Sequence, residues 1–77
     1  MKDEKKDKLP DLRSNIGKSC RILESSIAGL SMKVGVIEDI FGNDNDGYRY
    51  QVRLPEPLYS DDNKTDFYPP VFLCEIL

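Results

Sequence analysis

"FGNDNDGYRY", residues 41–50, sets Asn43, Asp44, Asn45 and Asp46 in front of Gly47, with an apolar segment on either side. That order fits two readings. An EF-hand calcium loop carries D-x-[DN]-x-[DN]-G with a bidentate glutamate six places after the glycine, between two helices. Aligned on Gly47, Asp44 and Asp46 take ligand positions, but Gly42 falls at the first ligand and Arg53 at the glutamate. A tight turn between two strands needs Asn, Asp and Gly for their backbone freedom and asks for no ligand set. The flanks decide for the turn. In "YRYQVRL", Tyr48, Tyr50, Val52 and Leu54 alternate with Arg49, Gln51 and Arg53, the period of a half-buried strand. "KVGVIEDIF" before it is β-branched and bounded by loops, so it reads as the other arm of a hairpin. No metal is expected.

The hairpin predicts a register. Pairing Val34 with Leu54, Val36 with Val52 and Ile40 with Tyr48 groups apolar side chains, and sets Asp39 across from Arg49. It also leaves Glu38 opposite Tyr50, which calls for a bulge or an edge at that point.

Working outward, "IGKSCRILESS" alternates Cys20 and Ile22 with Arg21 and Leu23, a first strand with one face in the core. "SIAGLS" is a surface loop, and Pro55 and Pro57 end the third strand. "LYSDDNKTD" forms the longest loop. "FYPPVFLCEIL" divides at its prolines into a fourth strand near Asp66–Tyr68 and a last strand over Val71–Ile76. Five short strands separated by turn signals predict an all-β fold, a small five-stranded barrel over residues 13–77. Residues 1–12 read as a charged, mobile N-terminal tail, with Leu9, Pro10 and Leu12 able to tack its end to the domain.

A chain of 77 residues holds one small domain with a thin core. Its net charge of −3 is uneven, about +1 over residues 1–8 and −4 over the rest. An acidic body disfavours binding to a phosphate backbone, which needs clustered Lys and Arg. No apolar run reaches the roughly 18 residues that span a bilayer, and the first ten residues lack a signal-peptide core. The expected location is cytoplasmic, with no membrane partner. There is no histidine and no C-x-x-C pair, so zinc is not expected. Cys20 and Cys74 read either as two reduced thiols or as a disulfide closing a long loop.

The order "GKSCRILES", "AGLSMKVGVIEDI", "YRYQVRL", "VFLCEIL" resembles an SH3-like small barrel. Its centre is similar to the KOW pattern, with Gly35 before an apolar strand beginning at Val36. The layout also resembles the small SH3-like subunits of photosynthetic electron-transfer complexes, such as the stromal docking subunit of photosystem I. The resemblance implies that first and last strands lie side by side, which would bring Cys20 and Cys74 near each other. SH3 domains that bind proline-rich peptides carry a tryptophan, and KOW modules are usually basic; this chain is acidic and has no tryptophan.

No catalytic constellation is present. The chain lacks a histidine base and a glycine-rich phosphate loop, and Ser31 with Lys33 has no oxyanion hole to serve. No cofactor and no small-molecule substrate are expected. Two binding surfaces remain. Tyr59, Phe67 and Tyr68 flank the acids Asp61 and Asp62 beside Pro69 and Pro70, a composition typical of protein contact surfaces. This favours a non-catalytic protein-binding module, an accessory subunit or small regulatory adaptor. The alternative is a KOW-like nucleic-acid-binding module using Arg21, Lys33, Arg49 and Arg53, which fall on outward strand positions and at the end of a loop. A solvated, salt-bridged sheet face accounts for the same arginines more simply.

Overall fold

The structure, a computed structural model, describes residues 10–60 and 62–77. Residues 1–9 of the expected tail, which was read over residues 1–12, therefore lie outside the described residues. Residues 10–13 form a single helical turn, and Leu12 packs against the core. Five antiparallel strands follow: β1 (Ser19–Ile22), β2 (Val34–Asn43), β3 (Gly47–Arg53), β4 (Asp66–Phe67) and β5 (Cys74–Ile76). They form one sheet in the order β4-β3-β2-β1-β5. All-β architecture is thus observed, in a sheet whose outer strands β4 and β5 are not paired with each other. The last expected strand is shorter than its composition implied. Val71–Leu73 makes a 3₁₀ turn, and only Cys74–Ile76 joins the sheet.

β2 and β3 form the hairpin, but not in the expected register. Val36 pairs with Arg53 and Ile37 with Val52; past an irregularity at Glu38, Ile40 pairs with Tyr50 and Asn43 with Gly47. The sequence called for a bulge or an edge at Glu38, and the bulge found there has a consequence larger than a local kink. An extra residue in a strand reverses which parity faces inward. Ile37 and Ile40 are therefore both buried, whereas Val34 and Val36, which the expected register set opposite Leu54 and Val52, are exposed.

The turn residues themselves behave as read. The Asn43 side-chain oxygen accepts the amides of Asn45 and Asp46 at 2.9 and 2.7 Å, and Gly47 takes φ of +88°, a conformation open to glycine. β3 keeps its alternation, with Tyr50, Val52 and Leu54 in the core.

The core comprises Cys20, Ile22, Leu30, Ile37, Ile40, Tyr50, Val52, Leu54 and Phe67. Tyr50 is buried to its ring, and its hydroxyl is satisfied by the N-terminal segment: it donates to the Leu12 carbonyl and accepts from the Asn15 amide. That pairing holds the Leu12–Asn15 segment against the middle of β3 and removes the cost of a buried, unpaired hydroxyl.

The sheet's two edges are linked by one short segment. The Pro69 carbonyl accepts the Tyr50 amide on the β3 side, and the Leu73 carbonyl accepts the Leu23 amide on the β1 side. The four residue steps from Pro69 to Leu73 span at most about 14 Å, whereas the β4 and β5 sides of a flat five-stranded sheet lie about 19 Å apart. The sheet is therefore curved.

Candidate functional site

Phe67 ends the two-residue strand β4 and Tyr68 follows it, and successive side chains of extended backbone point to opposite sides. Phe67 sits opposite Val52 and is 4 % exposed. It belongs to the core, and its outer edge is covered by the Lys64 ammonium 5.2 Å from the ring centre. The expected contact residue Phe67 therefore presents no face to a partner. Tyr68 is 46 % exposed and lies against Phe41, itself 47 % exposed, with ring centres 5.8 Å apart and tilted by 59°. Both rings stand at the outer surface, where Phe41 pairs with Arg49 across the hairpin.

The loop beyond β3 is pinned rather than free. Tyr59 donates its hydroxyl to the Ala28 carbonyl, tying the loop to the segment before β2. Asp62 uses its carboxylate to accept the Lys64 amide, so it caps a local turn. Asp61 lies outside the described residues. The structure thus keeps Tyr68 on an open face, places Tyr59 on a loop-to-loop contact, and sends Phe67 inside.

Two grooves flank the Tyr68 region. One of about 540 Å³ runs between the hairpin tip and the 3₁₀ turn, bordered by Asp44, Asp46, Tyr48, Arg49 and Phe72. The other, about 270 Å³, runs between the first loop and the segment before the 3₁₀ turn, bordered by Glu24, Ile27, Arg49 and Tyr68. Arg49 and Pro70 border both. Phe72 is 78 % exposed. It was expected in the last strand, not at a site. The run Val71–Cys74 is apolar throughout and carries no alternation to single it out; in the structure Val71 and Leu73 turn partly inward and leave Phe72 outward.

The four cations proposed for nucleic acid do not act as a group. Arg21 pairs with Glu75 at 3.2 Å, and Arg53 pairs with Glu38 at 3.3 Å and Asp66 at 3.1 Å. The Arg53 guanidinium holds the Asp66 carboxyl below the usual carboxylate range, through a direct hydrogen bond first and charge second. Lys33 sits at the entrance to β2, away from Arg49. Arg49 makes no ion pair among the described residues and donates instead to the Tyr68 carbonyl at 2.8 Å. One guanidinium is left facing the grooves, with aromatic rings on either side.

At the hairpin tip Tyr48 donates its hydroxyl to Asp44 at 2.9 Å, and that hydrogen bond raises the phenol above its ordinary range. Among the described residues no three His, Cys, Asp or Glu side chains group as a metal site, and no helix is long and apolar enough to cross a membrane. No family model, curated protein or solved structure matches this chain.

Proposed function

We propose that this chain is a non-catalytic protein-binding module, an accessory subunit or small regulatory adaptor, built as an SH3-like barrel. Its contact face is centred on Arg49 and Pro70, with Phe41, Tyr68 and Phe72 as anchors. The observation that carries this reading is the exposure of Phe72 on one groove and of Tyr68, lying against Phe41, on the other, with both grooves sharing Arg49, which makes no ion pair among the described residues. Exposed aromatics beside an arginine are the composition that contact surfaces favour, and such residues supply most of the binding energy where they bind. The barrel form is supported by the strand order, by β1 lying beside β5, and by the short segment that joins the two sheet edges.

Capture from an extract of the source cells tests the face. The wild-type domain and a Tyr68→Ala/Phe72→Ser variant, both checked for an intact cooperative thermal transition, are compared for retained proteins. Loss of two anchors weakens a true partner by about 30-fold or more. A partner recovered equally by both would place the binding surface elsewhere. A parallel titration with labelled single-stranded RNA at low salt is expected to show no salt-steep binding, because Arg21 and Arg53 are already neutralised.

A further inference from the structure

We propose that Cys20 and Cys74 form a modification site, a reversible intramolecular disulfide made by exchange with a low-molecular-weight disulfide such as oxidised glutathione, which ties β5 to β1. In the β1–β5 pair, Cys20 stands opposite Ile76 and Ile22 stands opposite Cys74. The two cysteines are therefore diagonal neighbours on the inward face of one antiparallel ladder. Cys20 is fully buried, and Cys74 packs against the same core while keeping partial access to solvent.

The thiols already act on each other. The neighbouring Cys74 thiol holds the Cys20 thiol below its ordinary value, against the opposing effect of burial. The same pairing, with burial, pushes Cys74 up, and the Cys74 thiol donates to the Pro70 carbonyl at 3.4 Å. Cys20 is thus the better thiolate and Cys74 the more accessible sulfur.

Diagonal Cβ atoms in such a ladder start somewhat under about 7–8 Å apart, against about 3.8 Å in a disulfide. One strand has to move. β5 is the one able to do so, since it is three residues long, lies at the sheet edge and is held only along β1. The chain has no other cysteine, so the intramolecular product has one connectivity.

The exchange balances in two steps. Cys74, the accessible thiol, gives up its proton and attacks oxidised glutathione as the thiolate, slowly because it is held protonated beside Cys20. The attack forms a mixed disulfide and releases one glutathione thiolate. The Cys20 thiolate then attacks the Cys74 sulfur and releases the second. The two cysteine protons end on the two glutathione molecules, so one disulfide is made as one is reduced.

The full chain equilibrated in oxidised glutathione tests this. Intact mass is expected to fall by about 2 Da with both thiols lost to alkylation, the product staying monomeric on a non-reducing gel. The closed loop spans most of the chain, so Tm is expected to rise by roughly 10 °C or more and to return on adding dithiothreitol. Cys74→Ser should leave Cys20 as an unmodified, slowly alkylated thiol. Retention of both thiols, a lasting glutathione adduct at Cys74, cross-linked dimers, or a disulfide form with unchanged Tm would each overturn the proposal.

Discussion

Phe67 and Tyr68 follow one another along the chain, and the backbone sends one ring against Val52 and the other onto Phe41. Truncating each therefore does different things. Phe67→Ala opens a cavity in a core of nine residues and should cost about 3–5 kcal/mol. A domain of this size has roughly 3–5 kcal/mol in total, so the variant should show no cooperative unfolding transition. Tyr68→Ala removes a half-exposed ring and should shift stability by less than about 1 kcal/mol. Urea titration of the two variants checks the pair, and similar midpoints would contradict the placement of Phe67. Gly35 gives a second test of packing. A Cβ there would lie 2.6 Å from the Arg53 carbonyl oxygen and 2.7 Å from the Val52 side chain. The position is closed by backbone, so Gly35→Ala should destabilise by about 1–3 kcal/mol. Wild-type stability in the same titration would mean that β2 and β3 are farther apart than described.

Elements show how far a sequence can be read and where reading stops. β3 was legible because nothing interrupts its alternation: Tyr50 and Val52 are buried and Arg49 and Arg53 are exposed. β2 was half legible. Glu38 opposite Tyr50 pointed to a bulge or an edge, but in a register two residues from the observed one beyond that point, and that register set Val34 and Val36 opposite inward positions of the third strand. The candidate site divided in the same way. Tyr68 could be read from its aromatic and proline neighbours, but which of Phe67 and Tyr68 turned inward depended on a two-residue strand docking on β3. The exposure of Phe41 depended on the same bulge. Two predictions belong at this scale. Asn43→Ala deletes the acceptor for two turn amides and should lower stability by about 1 kcal/mol, read as a shift in the urea midpoint without a change of slope. The Arg53 cluster should show in the acid limb. Because the folded-state pKa of Asp66 is lowered, its contribution is present above the ordinary carboxylate range and is lost as pH falls through the folded value. Asp66→Asn should flatten thermal stability between about pH 4 and pH 2 relative to wild type, and added salt should shrink the difference. Parallel acid profiles for both proteins would mean that the pair contributes nothing.

At the scale of the whole molecule, the decisive fact is how little holds each edge. β5 contributes three residues, and the Leu77 amide adds one further bond to the Ser19 carbonyl. Yet β5 covers the flank of β1, and β1 supplies Cys20 and Ile22, two of the most buried side chains. Without β5, β1 becomes an exposed edge with an uncovered apolar face, the arrangement that natural sheets avoid because it recruits other strands. The segment that carries the 3₁₀ turn would keep only the Leu23–Leu73 bond on the β1 side, without the β5 ladder behind it, so the curvature of the sheet would relax. A small core has no surplus to absorb that loss. Ending the chain at Leu73 should therefore abolish the cooperative thermal transition and promote association, seen as a broad unfolding curve and a larger hydrodynamic size. Leu77→Ala, which keeps the ladder and removes one exposed side chain, should retain a sharp transition within a few degrees of wild type, about what a change under 1 kcal/mol produces. If the truncated chain melted as sharply as the full chain, the sheet would be stable as an open one, and the joining of its edges would be incidental to the fold.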